Sequence, residues 1–264
     1  MKDNNKPDQS FNTIANKFEK NIYGSSKGRL RHELLVSYLA DHLESQDPPL
    51  LVLDAGGGTG EMAKEFALKG HQVLVNDISE DALSLCKDKL SHCDNVHYHL
   101  GKIQSLDSTD IQHIIAGEST HFDLVLCHAV LEWLETPEDT IAHLVSLLKP
   151  NGWLSLSFFN EDAHRFANLL YGNFDFVKNG MRQRNTVRLN PNNAQSPSYI
   201  KSILSHLPVS IKHEAGIRCF HDYMRPADRE RVSFEEIIEM EKRYAKVLPY
   251  RDLGRYYHIL VQKL

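Results

Sequence analysis

The sequence predicts an α/β fold: one doubly wound, mostly parallel sheet of seven strands with helices on both faces. Three observations carry this. Short apolar segments alternate with helix-patterned ones from residue 50 to residue 160, the signature of strands linked by crossover helices. The first apolar segment, Leu50-Leu51-Val52-Leu53, runs into Asp54-Ala55-Gly56-Gly57-Gly58-Thr59-Gly60, a glycine-rich turn that opens a helix. Two further strand-like segments, 209–223 and 256–261, flank a helical stretch near 233–246 and complete the sheet.

In chain order, residues 1–10 are polar and expected to be disordered. A helix is expected over 11–20, with Phe11, Ile14, Ala15 and Phe18 on one face. A turn-rich segment follows, then a helix from about 30 to 43. Strands are expected near 50–55, 72–77, 95–100, 122–128 and 153–159, and helices near 60–69, 79–90 and 137–149. Pro137 suits a helix start, and Pro150-Asn151-Gly152 reads as a stop and turn. His97 and His99 share one strand face without further metal-ligand spacing, so they read as solvated edge histidines. Beyond Asn160 a helix is expected over 161–171, a loop-like insertion over 173–188 and a helix over 197–206. Nothing demands a second domain. The chain reads as one domain with an N-terminal helical cap (1–49), a cofactor-binding core (50–160) and a substrate-side insertion with terminal strands (161–264).

Composition narrows the class. No apolar run is long enough to span a bilayer, and MKDNNKPDQS is no signal peptide, which points to a soluble, cytoplasmic protein. The four cysteines form no C-x-x-C pair and read as reduced thiols. A formal net charge of −5 argues against a uniformly basic nucleic-acid binder, while leaving room for a local basic patch.

The turn points to a nucleotide-like ligand, because glycines admit close backbone approach beside the unpaired N–H groups of a helix start. The dinucleotide fingerprint G-x-G-x-x-G fails at Glu61, which disfavours a nicotinamide dehydrogenase. The spacing is instead Asp54-x-Gly56-x-Gly58-x-Gly60. A second acid, Asp77, ends the next strand, where a carboxylate accepts from ribose hydroxyls. A branched side chain at Gly57 is expected to block the ligand while sparing the fold. Gln104, His128 and Glu132 fall at the strand mouths where ligands bind in such sheets. His128 reads equally as a hydrogen-bonded structural histidine.

Several segments together resemble the bacterial tRNA 5-carboxymethoxyuridine methyltransferases. They are Asn21-Ile22-Tyr23-Gly24-Ser25-Ser26-Lys27-Gly28, the glycine turn, His128-Ala129-Val130-Leu131-Glu132-Trp133, Gly172-Asn173-Phe174-Asp175, Gly216-Ile217-Arg218-Cys219-Phe220-His221-Asp222-Tyr223 and Leu253-Gly254-Arg255-Tyr256. The resemblance implies a class I methyltransferase (Rossmann-like) fold and methyl transfer from S-adenosyl-L-methionine to the carboxylate of 5-carboxymethoxyuridine at the tRNA wobble position. It implies cofactor contacts from Arg31, Gly56, Gly57, Asp77, Ile103, Gln104 and His128, beside Asp54 and Gly58 of the turn. Neither an Asn-Pro-Pro-Tyr motif nor a Pro-Cys nucleophile is present. A carboxylate, with a pKa of about 4, needs no general base at neutral pH. It needs placement and a positive group that orients it, for which Tyr23, Lys27, Arg218, His221, Tyr223 and Arg255 are candidates. Lys178, Arg182, Arg184 and Arg188 form a basic arm suited to phosphates of the anticodon arm. No metal is expected. Two other functions fit the fold: methylation of a small-molecule acid or amine, and non-catalytic cofactor binding.

Overall fold

The computed structural model describes residue 12 and residues 25–43, 49–115, 119–181 and 193–264. The expected helix over 11–20, apart from Asn12, lies outside the described residues, as do Tyr23, Arg182, Arg184 and Arg188.

Seven strands form one sheet: β1 (Leu51–Ala55), β2 (Gln72–Asp77), β3 (Val96–Leu100), β4 (Phe122–His128), β5 (Leu148–Phe159), β6 (Val209–Ile217) and β7 (Tyr256–Lys263). Their spatial order is β3-β2-β1-β4-β5-β7-β6. The first five are parallel. β7 runs antiparallel between β5 and β6. β1 sits at the centre with all five residues buried, which explains its unbroken apolar run. Leu53 pairs with Leu74 on one side and Val125 on the other. The chain winds outward from β1 to β3, returns to β4 and winds the other way, so the switch point lies between β1 and β4. Ligands bind beyond the strand ends there.

Successive strand residues feed two cores. Val52, Val75, Leu124 and Leu260 face helices α1 (Ser26–Leu43), α2 (Glu61–Ala67), α3 (Glu80–Lys89) and α10 (Phe234–Tyr244). Leu53, Leu74, Val125 and Leu156 face α4 (Ser108–Ile115), α5 (Pro137–Ser146) and α8 (Pro197–Leu204). Three short or peripheral helices, α6 (Glu161–Leu170), α7 (Phe174–Lys178) and α9 (Pro226–Arg229), lie on the C-terminal half. The Tyr38 hydroxyl donates to the Gly216 carbonyl at 2.9 Å and ties α1 to β6. Among the described residues no helix is long and apolar enough to cross a membrane.

The structure departs from expectation in five places. α1 starts at Ser26, because the Ser25 hydroxyl accepts the Gly28 N–H at 3.2 Å and caps it early. β5 starts at Leu148 and absorbs the expected turn as a register shift against Phe122 and Leu124, with Asn151 at φ 63°. β6 stops at Ile217, because Arg218 takes φ 62° and leaves extended backbone. α4 and α7 are helical where no helix was expected. His97 and His99 sit on edge strand β3 but are engaged, with Gln72 at 3.2 Å and Asn76 at 3.0 Å.

Candidate active site

The glycine turn is held from below by β2. The N–H groups of Gly56 and Gly57 both donate to the Asn76 carbonyl, at 2.8 and 3.1 Å. Asp77 then accepts from the Gly58 N–H at 2.9 Å and from the Ser79 N–H at 2.8 Å. One acid therefore clamps the turn and still presents lone pairs to a diol. Burial raises its carboxyl, against the three backbone N–H groups of Ser79, Gly58 and Ile78 that lower it. Asp54 is turned under the turn, where it accepts from the Ala63 N–H at 3.2 Å and fastens α2 to β1. Burial pushes Asp54 up to about 7, with Ala63 opposing and Asp77 adding.

Gly57 and Gly58 differ in what they face. A Cβ at Gly57 would meet Asp54 Cγ and Val75 Cγ1, both at 2.8 Å. The expectation that a valine there spares the fold is therefore corrected, since the clash lies in the interior. A Cβ at Gly58 would meet nothing within 4 Å, and its φ is 56°. Gly58 is where the turn opens onto free space beside Asp77. This space and this donor–acceptor set fit a nucleoside-bearing cofactor.

The far wall of this mouth comes from α1, β4 and β7. Arg31 is buried on α1, with its guanidinium 5.4 Å from the Tyr256 ring centroid. His128 ends β4 and bonds through Nε2 to the Ser155 hydroxyl at 2.7 Å, which in turn reaches His258 Nε2 at 2.9 Å. Burial, then Arg31 and His32, push His128 down to about 3, so it is neutral at pH 7. Both roles weighed for His128 from sequence meet in one residue: it is hydrogen-bonded within the fold and stands at the mouth. Glu132 is also buried here and is pushed up to about 7 by its burial, against backbone N–H groups and Arg31. The Gln104 amide donates to Thr140 Oγ1 at 3.0 Å, and the Ile103 side chain is buried in the core beside Leu106.

A second cluster lies across Tyr256, organised by a residue the sequence left in the background. Asp222 receives Arg218 Nη2 at 2.6 Å and His221 Nδ1 at 3.0 Å, and Arg255 Nε stands at 4.0 Å. Burial alone would raise Asp222. The His221 hydrogen bond and the charges of Arg218 and Lys27 outweigh it and hold the carboxyl well below the usual range. Arg218 Nε is buried and has no hydrogen-bond partner among the described residues. Arg255 lies over the Phe159 ring at 4.6 Å, and burial pulls its guanidinium down. Arg218, Arg255 and Lys27 outnumber the carboxylates of Asp222 and Glu241 and leave a net positive pocket. The Tyr256 ring stands beside it, with the Arg218 guanidinium 5.5 Å from its centroid.

Of the orienting candidates, Arg218, Arg255, His221 and Lys27 converge here. Tyr223 does not serve as one: its hydroxyl donates to the Leu253 carbonyl at 2.9 Å and its ring packs on Phe166. His221 is 1% exposed, and Nε2 lies 3.3 Å from the Ser26 hydroxyl, so it positions Asp222 from within. The turn carrying these residues is held by Glu241 of α10, fully buried, whose carboxylate accepts from Cys219, Phe220 and His221 N–H at 2.7, 2.9 and 3.1 Å. Sequence reasoning missed Glu241. Its one signal was an acid among the apolar positions of an amphipathic helix.

A glycine turn closed by the β2 acid, on this sheet order, defines a class I methyltransferase that uses S-adenosyl-L-methionine. Residues 53–154 match the methyltransferase domain family. The magnesium protoporphyrin IX methyltransferase of Synechocystis PCC 6803, solved with bound S-adenosylhomocysteine, shares the fold: TM-score 0.61 at 20% identity, covering 96% of this chain and 95% of that one. A ubiquinone biosynthesis O-methyltransferase of Thiobacillus denitrificans is 31% identical over 46% of this chain and 49% of its own. The tRNA 5-carboxymethoxyuridine methyltransferase of Escherichia coli K12 is 37% identical over 257 residues, 97% of each chain. The chain belongs to the family of that last protein.

Proposed function

We propose that this enzyme methylates the carboxylate of 5-carboxymethoxyuridine at the anticodon wobble position of tRNA, giving the methyl ester 5-methoxycarbonylmethoxyuridine. The observation that carries it is the whole-length similarity, which includes the 218–223 turn and its net positive pocket. When bound, S-adenosyl-L-methionine would supply a methyl group on a sulfonium; a carboxylate already ionised at neutral pH would take that methyl as the methyl–sulfur bond breaks and S-adenosylhomocysteine leaves, with no base required.

The residues have separable tasks. Asp77 would accept from the ribose hydroxyls, the Gly58 backbone would line the adenosyl path and Arg31 would pair with the methionine carboxylate. His128, Gln104 and Ile103 form the mouth through which the adenine and sulfonium ends are held. Arg218 Nε and the Arg255 guanidinium turn the acceptor carboxylate toward Tyr256, and Lys27 adds charge from the rim. Asp222 tempers these cations. The acceptor loses its charge during transfer, so a full-strength clamp would stabilise the ground state more than the transition state.

Lys178, with 75% of its side chain exposed and Asp175 at 3.7 Å, contributes to the phosphate contacts of the anticodon arm, together with Arg182, Arg184 and Arg188. The organisation into helical cap, cofactor core and substrate-side half follows the same division of labour, in the cytoplasm. Mass spectrometry of nucleosides from tRNA incubated with the protein and cofactor tests the reading. A methyl group that mild alkali removes is expected. An alkali-stable methyl group, or methylation of free small acids but not of tRNA, would overturn it.

A further inference from the structure

We propose that Tyr171 and Phe174 form a stacking ledge for the unpaired nucleobases next to the target uridine in an RNA loop. The inference deepens the reading above and rests on it for the identity of the neighbouring acceptor. Tyr171 and Phe174 are 67% and 54% exposed, and Leu170 beside them is 58% exposed. Rings of this size left in water on one corner mark an interaction surface.

The corner is built to hold them still. The chain leaves α6 through Gly172 at φ 73°, and the Asn173 amide donates to Asn168 Oδ1 at 3.0 Å. Asn168 in turn bonds the His164 carbonyl at 2.9 Å. His164 packs its ring on Phe159 at 5.2 Å and on Phe176 of α7 at 6.0 Å. Phe159 is the ring beneath Arg255, so the ledge and the acceptor pocket share one rigid support.

The ledge also opens directly onto that pocket. The Tyr171 hydroxyl lies 3.5 Å from the main-chain carbonyl of Asp222. The charges around it are Arg218, Arg255 and Lys27 against Asp222, with Asp175 and Lys178 paired at 3.7 Å beside Phe174, a net positive surround that selects for a polyanion carrying flat apolar faces. A single-stranded nucleic acid has that chemistry: phosphates for the cations and a π-face on every base. A wobble uridine whose carboxylate reaches Arg218 and Arg255 leaves its neighbouring bases outside the pocket, where the two rings stand.

The test uses an RNA hairpin with 5-carboxymethoxyuridine in its loop and 2-aminopurine as its neighbour. Binding of the hairpin to the wild-type protein should quench the 2-aminopurine. Tyr171→Ala and Phe174→Ala should each remove much of the quench and weaken binding by about 5- to 100-fold. Tyr171→Phe should keep both, and calorimetry should show unchanged cofactor affinity in every variant. The free 5′-monophosphate of 5-carboxymethoxyuridine has no neighbouring base, so the kcat/KM for its methylation should not move. A Tyr171→Ala/Phe174→Ala protein that binds the hairpin with wild-type affinity and quench overturns the ledge. So does a wild-type dimer that this variant dissolves while RNA binding is unchanged. If the wild type forms no ester on RNA but the quench and its loss occur, the carboxyl-methylation reading fails and the ledge stands. Ester formation without any quench is the converse.

Discussion

Replacing Arg255 by Met removes a charge and keeps its packing. The Arg255 guanidinium sits 4.6 Å above the Phe159 ring, and its nearest acid oxygen, on Asp222, is 4.0 Å from Nε. That separation is too long for a hydrogen bond, so the guanidinium keeps donors for a substrate carboxylate. At 4 Å two unit charges attract by about 1 kcal/mol in water and about 4 kcal/mol at an effective dielectric of 20. A charge-assisted hydrogen bond contributes about 1.5–3 kcal/mol net. The methionine stem still covers Phe159, so the cost to folding is the cation–π contact, about 0.5–1 kcal/mol. The kcat/KM for tRNA should therefore fall by about 10- to 150-fold, which is that range of energy converted. Lysine at this position should recover part of it, as a point charge without the planar fork. Initial rates of methyl incorporation into tRNA, with cofactor affinity from calorimetry, provide the assay. Wild-type kcat/KM in a folded Arg255→Met protein would refute the assignment of the pocket, and a parallel loss of cofactor affinity would reduce Arg255 to a packing residue.

Other perturbations follow the same logic. Asp77→Ala should weaken cofactor binding by about 1.5–3 kcal/mol, because a charged acceptor is lost and the Gly58 N–H is released; calorimetry with unchanged affinity would displace the ribose site. Glu241→Ala should cost about 3–5 kcal/mol of stability, because three buried N–H groups lose their acceptor at once; denaturant titration showing under about 1 kcal/mol would contradict the buried geometry. His213 is buried, neither ring nitrogen has a hydrogen-bond partner among the described residues, and burial, then Lys246 and His42, push it down to about 4. The unfolded chain then binds the extra proton between about pH 6.5 and pH 4, so stability falls as pH drops through that window. His213→Phe should remove about 2 kcal/mol of that loss at pH 5 relative to pH 7. Identical acid limbs in the two proteins would show that another group titrates there.

The central strands were legible because burial on both faces writes itself as apolar runs, and the turn because its conformations require glycine. α4, Ser-Thr-Asp-Ile-Gln-His-Ile-Ile, went unread because eight residues with one fully buried side chain carry little periodicity. α7 was shorter still. Lys149-Pro150-Asn151-Gly152 has turn chemistry, and pairing with β4 overrode it. At the site, the sequence marked Arg218 and His221 in one segment, 216–223, and Arg255 in another, 253–256. It did not mark Asp222 as their common partner, because that meeting depends on β7 returning beside β6. Tyr223 looked like its neighbours, yet its hydroxyl is spent on the backbone. The Glu241 contact joins positions twenty and more residues apart, and no local pattern reports such a distance.

The insertion of β7 between β5 and β6 has a consequence for how the enzyme is made. β5 and β6 are both synthesised before β7; β5 can pair with β4 on one side, but its other edge, and β6 altogether, find a partner only when β7 arrives. The parallel strands that carry the glycine turn pair with no strand later than β5, although their two cores are completed by later residues. Domains fold from the N-terminal side during synthesis, and pairings distant in sequence form late. On the ribosome the parallel strands can therefore pair while the Asp222 turn and the far wall of the cofactor mouth still lack Arg255 and Tyr256. Until β7 docks, the unpaired edges of β5 and β6 are open to other strands. Overproduction that outpaces this last step should aggregate through those edges, and holding the growing chain at lower temperature should relieve it.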